Sequence, residues 1–248
     1  MAAGALRQNR FYRGWMKAAR LTYFSVRLFE TDLAIAAERD MTADALETVV
    51  DLRNALLDYA HAHEGFLSSM RPLAPDETAP DVVRRMCRAA EAWDVGPMAA
   101  VAGTFAEIIG ERLLASSREV IVENGGDVFI ATRQPREVEI FAGDDSPFAG
   151  RLAVRVNADS GIHGICTSSG TVGHSFSHGK ADAVVAFAES AAFADAAATA
   201  IANRIKVPAD IQGVVDAEKE RAALKALVAV AGDTLGAFGD IEFVTREE

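Results

Sequence analysis

The sequence predicts an α+β fold, a two-layer antiparallel sheet with helices packed on it. Three observations carry this expectation. Short runs rich in β-branched and aromatic residues recur, separated by breaks containing glycine, asparagine or charged residues, as antiparallel hairpins require. Blocks with apolar residues at helical spacing lie between these strand groups. Half of the 248 residues are hydrophobic and a quarter charged, enough to build a substantial core.

"LTYFSVRLFETDLAIAAE" (21–38) reads as two strands joined at "ETD", with Thr31-Asp32 supplying turn chemistry. "TADALETVVDLRNALLDYAHAH" follows as a helix, with Thr42 as N-cap and Leu46, Val49, Val50, Leu56 and Leu57 at helical spacing. His61 and His63 near its end suit the negative end of the helix dipole. "RPLAPDETAP" has three prolines and reads as a loop before two helices, "DVVRRMCRAAEAW" and "PMAAVAGTFAEIIGERLLA". In the latter, Ala99, Ala100, Ala102 and Gly103 allow something to approach the backbone closely, and tight helix packing is the simplest use of them. From residue 118 the texture becomes strand-like: "REVIVE", a glycine turn "NGGD", "VFIAT", "VEIFA" and "LAVRVN". "GICTSSGTVGHSFSHGKADAVVAF" (164–187) gathers glycines, hydroxyls and histidines before turning apolar. An alanine-rich helix "SAAFADAAATAIANRI", an amphipathic helix "VDAEKERAALKALVAVA" and a last strand "DIEFV" complete the chain.

A net charge of −11 argues against general nucleic-acid binding, because no basic excess can replace phosphate counterions. An anionic small molecule is still compatible, since backbone N–H groups hold phosphate without side-chain charge. No apolar stretch reaches membrane-spanning length, and the basic first residues have no signal-peptide core, so a cytoplasmic protein is expected. Two cysteines do not make a disulfide framework. One domain over 1–248 is expected, with lobes of about 1–115 and 116–248 as the alternative division.

Four groups of residues could do chemistry. Asn124, Gly125, Gly126 and Asp127 form a hairpin turn whose glycines also leave backbone amides open to a flat ring or phosphate. Thr167, Ser168, Ser169 and Gly170 end a strand-like run, as a solvated turn or as hydroxyls and N–H groups around a phosphate or ring carbonyl. Asp195 and Thr199 are four apart on a helix and share a face, a pair of hard oxygen ligands for Mg²⁺ or a cap with a back-bonded hydroxyl. His163, Cys166, His174 and His178 look like a zinc set, but on an extended chain His174 and His178 stand roughly 13 Å apart. Proton transfer suits His174 or His178 better than metal ligation.

Taken in order, "GPMAAVAGTFAE", "ENGGD", "CTSSG" and "ADAAATA" resemble the ApbE-like superfamily, relatives of the FAD:protein FMN transferases. Those proteins typically carry "GGIAKGYAVD", "NxGGD/E", "TSG" and "ADALATA". The match over "VGPMAAVAG", "ENGGD" and "TSSGTVGHSFSHGKAD" is with a shorter cytoplasmic branch. The resemblance implies a tunnelling-fold-like architecture, a bound flavin nucleotide such as FAD, and Mg²⁺ held by Asp195 and Thr199 with a backbone carbonyl near Val101 or Ala102. It implies that Asn124 to Asp127 and Thr167 to Gly170 border the nucleotide, and that a protein acceptor receives FMN. His174 and His178 are loosely matched to the family histidine of "HIIDPxTG". Two departures stand out: Ala102 occupies the place of the family lysine, and no lipobox precedes the domain. Two other functions are compatible with the same residues. Relatives of this branch are associated with sulfur amino-acid (homocysteine) biosynthesis in anaerobes, where Cys166 would matter. A cleft that has lost its ligand would instead serve assembly, with the alanine-rich helix and free strand edges supporting a homodimer.

Overall fold

The computed structural model describes residues 20–143, 146–148, 150, 152–170 and 179–245. The chain opens with a hairpin, β1 (Thr22–Leu28) and β2 (Thr31–Ala37). Its two-residue turn is Phe29-Glu30, not "ETD": Leu28 pairs with Thr31, and Phe29 takes the positive φ, 52°, that so tight a turn demands. Thr31 and Asp32 begin β2, where Asp32 accepts a hydrogen bond from Arg27 across the ladder. Helix α1 (Thr42–Ala62) follows. Thr42 is its first residue rather than its cap; the Asp40 carboxylate accepts from both the Thr42 N–H (2.8 Å) and its hydroxyl (2.6 Å).

Next come α2 (Asp81–Trp93), a 3₁₀ turn over Pro97–Ala100, and α3 (Val101–Leu114). Strands β3 (Val120–Asn124) and β4 (Asp127–Ala131) flank Gly125 and Gly126, which both have positive φ, so the expected glycine hairpin is present. β5 (Arg136–Glu139), β6 (Leu152–Val156), β7 (Gly164–Ser168) and β8 (Ala183–Ala188) precede α4 (Ala191–Ala202). The expected helix through "ALKALVAVA" ends early. Helix α5 (Asp210–Arg221) closes at Ala222 in the left-handed region, and Ala226–Ala231 is strand β9. β10 (Thr234–Gly239) and β11 (Glu242–Thr245) finish the chain.

Eight strands form one antiparallel sheet in the order β1-β2-β3-β4-β7-β8-β9-β10. The helices cover one face, burying Val122, Phe129, Cys166, Val184 and Leu227 against α1 to α5. To this expected pair of layers a three-stranded sheet, β11-β6-β5, adds cover on the other face, over Ile121, Ile165, Val185 and Phe187. Burial from both sides explains why β8 (AVVAFA) and β9 (ALVAVA) are apolar throughout rather than alternating, and why β9 is mistaken for part of a helix. No helix among the described residues is long and apolar enough to cross a membrane.

Candidate functional site

The site is organised by the crossing of α3 and α4. Gly103 makes the crossing possible: a Cβ there would lie 2.3 Å from the Ala191 carbonyl oxygen and 2.7 Å from the Asp195 Cβ. The two helices cap one another. Ser190 caps α4 by accepting from the Phe193 N–H, and the Glu107 carboxylate of α3 accepts from the Ser190 hydroxyl (2.6 Å) and the Ala192 N–H (3.2 Å). In return Asp195 of α4 accepts from the Gly103 N–H (2.8 Å) and the Ala102 N–H, in the first turn of α3. Asp195 therefore caps its neighbour's helix rather than its own. Arg85 of α2 donates to Glu107 at 2.8 Å and completes the latch.

Beneath this crossing lies the end of the sheet. Side-chain alternation puts Asn124, Asp127, Cys166 and Ser168 on the helix-facing side, with Asp127 directly opposite Cys166. The Asn124 amide donates to the Ala102 carbonyl at 3.1 Å, and the Cys166 thiol donates to the Ala191 carbonyl at 3.2 Å. Asp127 accepts from the Thr167 N–H, yet its Oδ1 and the Ser168 Oγ are buried without a hydrogen-bond partner. The same alternation turns Thr167 to the opposite face, beside Gly126. Gly125 is exposed at the tip of its turn, and the Gly126 N–H is already taken by the buried Glu123 carboxylate at 2.9 Å. Ser169 is buried, and Gly170 packs where a Cβ would stand 2.1 Å from the Gly179 carbonyl oxygen. Thr199 is half-buried one turn beyond Asp195.

The structure thus brings together Asn124, Asp127, Ser168 and Asp195 around the start of α3, with Cys166 among them. His174 and His178 lie outside the described residues. His163 is engaged elsewhere, its Nδ1 bonded to the Ile130 carbonyl. His63 ties the proline-rich loop to α1 through Asp76 and the Tyr59 carbonyl. The latch residue Glu107 is not legible as such, because nothing local marks a helix-interior glutamate as a cap for a distant N–H.

Two buried carboxylates dominate the electrostatics. Burial, and then the neighbouring Asp195 charge, push the Asp127 carboxyl well above the usual carboxylate range. Burial raises Asp195 to about 7 against the opposing pull of the Gly103 and Ala102 N–H groups. Burial and both carboxylates push the Cys166 thiol up. Among the described residues no three His, Cys, Asp or Glu side chains are arranged to hold a metal. The remaining oxygen donors are the Ala102 carbonyl and the Ser168 and Thr199 hydroxyls, and an all-oxygen set suits a hard divalent cation.

The family model described as "AbpE bacteria" matches residues 13–229. The chain belongs to this ApbE-like family. A UPF0280 protein of Methanopyrus kandleri is 41% identical over 217 residues, covering 85% of this chain and 87% of the relative. A UPF0280 protein of Methanocella arvoryzae is 36% identical over 218 residues, covering 88% of each. Among solved structures, the apo flavinyl transferase ApbE of Pseudomonas stutzeri superposes with a TM-score of 0.57 at 14% identity, covering 88% of this chain and 94% of that one. The ApbE protein of Thermotoga maritima gives 0.53 at 14% identity, covering 90% and 96%. At such identity this likeness establishes the shared fold, a mixed α and β architecture around one large antiparallel sheet.

Proposed function

We propose that this ApbE-like protein binds a flavin nucleotide, FAD or a close relative, with Mg²⁺ beneath the crossing of α3 and α4, and passes FMN to a protein hydroxyl in the cytoplasm. The single observation carrying this reading is the buried Asp195 carboxylate, set beside the Ala102 carbonyl at the start of α3 with no lysine or arginine paired to it among the described residues. Such an arrangement is costly without a positively charged guest. The solved ApbE structure from Pseudomonas stutzeri is a flavinyl transferase, which supports the choice of guest.

Asp195 and Thr199 would hold the cation together with the Ala102 carbonyl. That carbonyl is kept in place by the Asn124 amide. Bound there, Mg²⁺ would neutralise the pyrophosphate and its leaving phosphate. Gly125, exposed at the tip of its turn, leaves main chain open to a flat ring or phosphate, and Ser168 offers a hydroxyl facing inward. His174 or His178 would accept the proton of the attacking hydroxyl.

The reading in which Cys166 acts as a nucleophile is disfavoured, because the thiol is fully buried and held protonated. The test is absorbance and mass spectrometry of the purified protein, then incubation with FAD and Mg²⁺. Retained flavin, AMP release that requires Mg²⁺, and loss of both in Asp195→Ala are expected. Colourless protein that takes up no flavin would overturn the proposal.

A further inference from the structure

We propose that Asp127 is itself a ligand of the cation, so that the centre is a two-carboxylate oxygen site spanning β4 and α4. The inference rests on the Mg²⁺ reading above and extends it to a residue on the sheet. Its first support is placement. Asp127 stands at the first position of β4, directly after two positive-φ glycines, and its turn is braced by Glu123 accepting from the Gly126 N–H. That bracing aims the carboxylate into the layer between sheet and helices, the side on which Asp195 hangs from α4.

The second support is what surrounds the two acids. Neither Asp127 nor Asp195 forms an ion pair with a lysine or arginine among the described residues. Asp195 accepts from two N–H groups in the first turn of α3, and Asp127, faced by the Cys166 thiol and the Thr167 N–H, leaves Oδ1 unused. Ser168 is 4% exposed, on the same face two residues beyond Cys166, and its hydroxyl also has no partner. Two independent buried polar atoms thus lack partners in one place, which native interiors rarely tolerate unless a ligand or ion satisfies them.

The chemistry then selects the guest. Carboxylate, hydroxyl and carbonyl oxygens suit Mg²⁺ or Mn²⁺, each of which takes one or two carboxylates and completes its shell with water or phosphate. Two carboxylates also neutralise a divalent ion without help from a nucleotide. A site with Asp195 alone would leave the cation dependent on the pyrophosphate. Two carboxylates would therefore let the protein hold the cation before any nucleotide is bound.

Mn²⁺ titration of metal-free full-length protein, followed by electron paramagnetic resonance with and without ADP, tests this. Wild type is expected to bind one Mn²⁺ without nucleotide, and Asp127→Asn and Asp195→Asn each to weaken it about tenfold or more. Mn²⁺ should raise the melting temperature of wild type and not that of Asp127→Asn. Should Asp127→Asn fail to fold, Asp127→Ser takes its place, and Mn²⁺ affinity unchanged in that variant would overturn the inference. Wild-type affinity in Asp127→Asn, with loss in Asp195→Asn, would overturn it and leave the Mg²⁺ reading standing. Absence of Mn²⁺ binding by wild type, with or without ADP, would overturn both.

Discussion

Replacing Asp195 by asparagine gives a direct readout of the buried acid pair. In the folded protein the Asp195 carboxyl is raised from 3.8 to about 7, chiefly by burial. The folded state therefore keeps a proton that the unfolded chain releases. Stability from this group is complete below the unfolded value and is lost as pH climbs through the folded one. Roughly three units at about 1.4 kcal/mol each give a loss of about 4 kcal/mol across that window. Asp127 is raised in the same direction, so the two titrate as a pair and part of the slope survives in a single variant. Asparagine keeps an acceptor for the Gly103 N–H while remaining neutral, so the cap persists. Urea unfolding of metal-free protein between pH 4.5 and 8, in chelator, should show wild type losing several kcal/mol more than Asp195→Asn. The carboxylates held low by their partners, such as Asp40, Asp76 and Asp210, act with the opposite sign at more acid pH and cancel in the comparison. Parallel curves for the two proteins would refute the reasoning.

Two further outcomes are expected. Gly103→Ala gains about 1 kcal/mol of helix propensity but forces a methyl group to 2.3 Å from the Ala191 oxygen, an overpacking cost of about 3 kcal/mol, so a net fall in stability should appear in thermal melts. A thiol-specific chromogenic reagent should leave both Cys87 and Cys166 unlabelled in native protein and modify both after denaturation, since each is buried and Cys87 is pushed up to about 11.

What could be read in advance follows the range of the forces involved. The glycine hairpin at 125–126, the small residue at 103 and the helix carrying Asp195 were legible because turn geometry, close approach and helical spacing are local properties. The turn at Phe29 was not, because pairing forced an aromatic residue into a conformation that it rarely adopts alone. The strand β9 was not, because an apolar run covered on both faces carries no periodicity to tell strand from helix. Within the candidate site, the sequence motifs pointed to Asn124, Asp127, Ser168 and Asp195 but equally to Thr167 and Gly126, which lie away from the cluster, and Cys166 joined it only through the β4–β7 register. That register is a long-range fact, invisible to spacing along the chain.

The mutual capping of α3 and α4 has a consequence for how this protein can diverge. Position 103 cannot grow without driving the helices apart, and Glu107 or Asp195 cannot lose its acceptor oxygen alone without stranding N–H groups on the opposite helix. Substitutions there should arise only as matched sets. The exposed tip at Gly125 is under no such restraint, so new specificities are free to emerge at the rim while the frame behind it stays still.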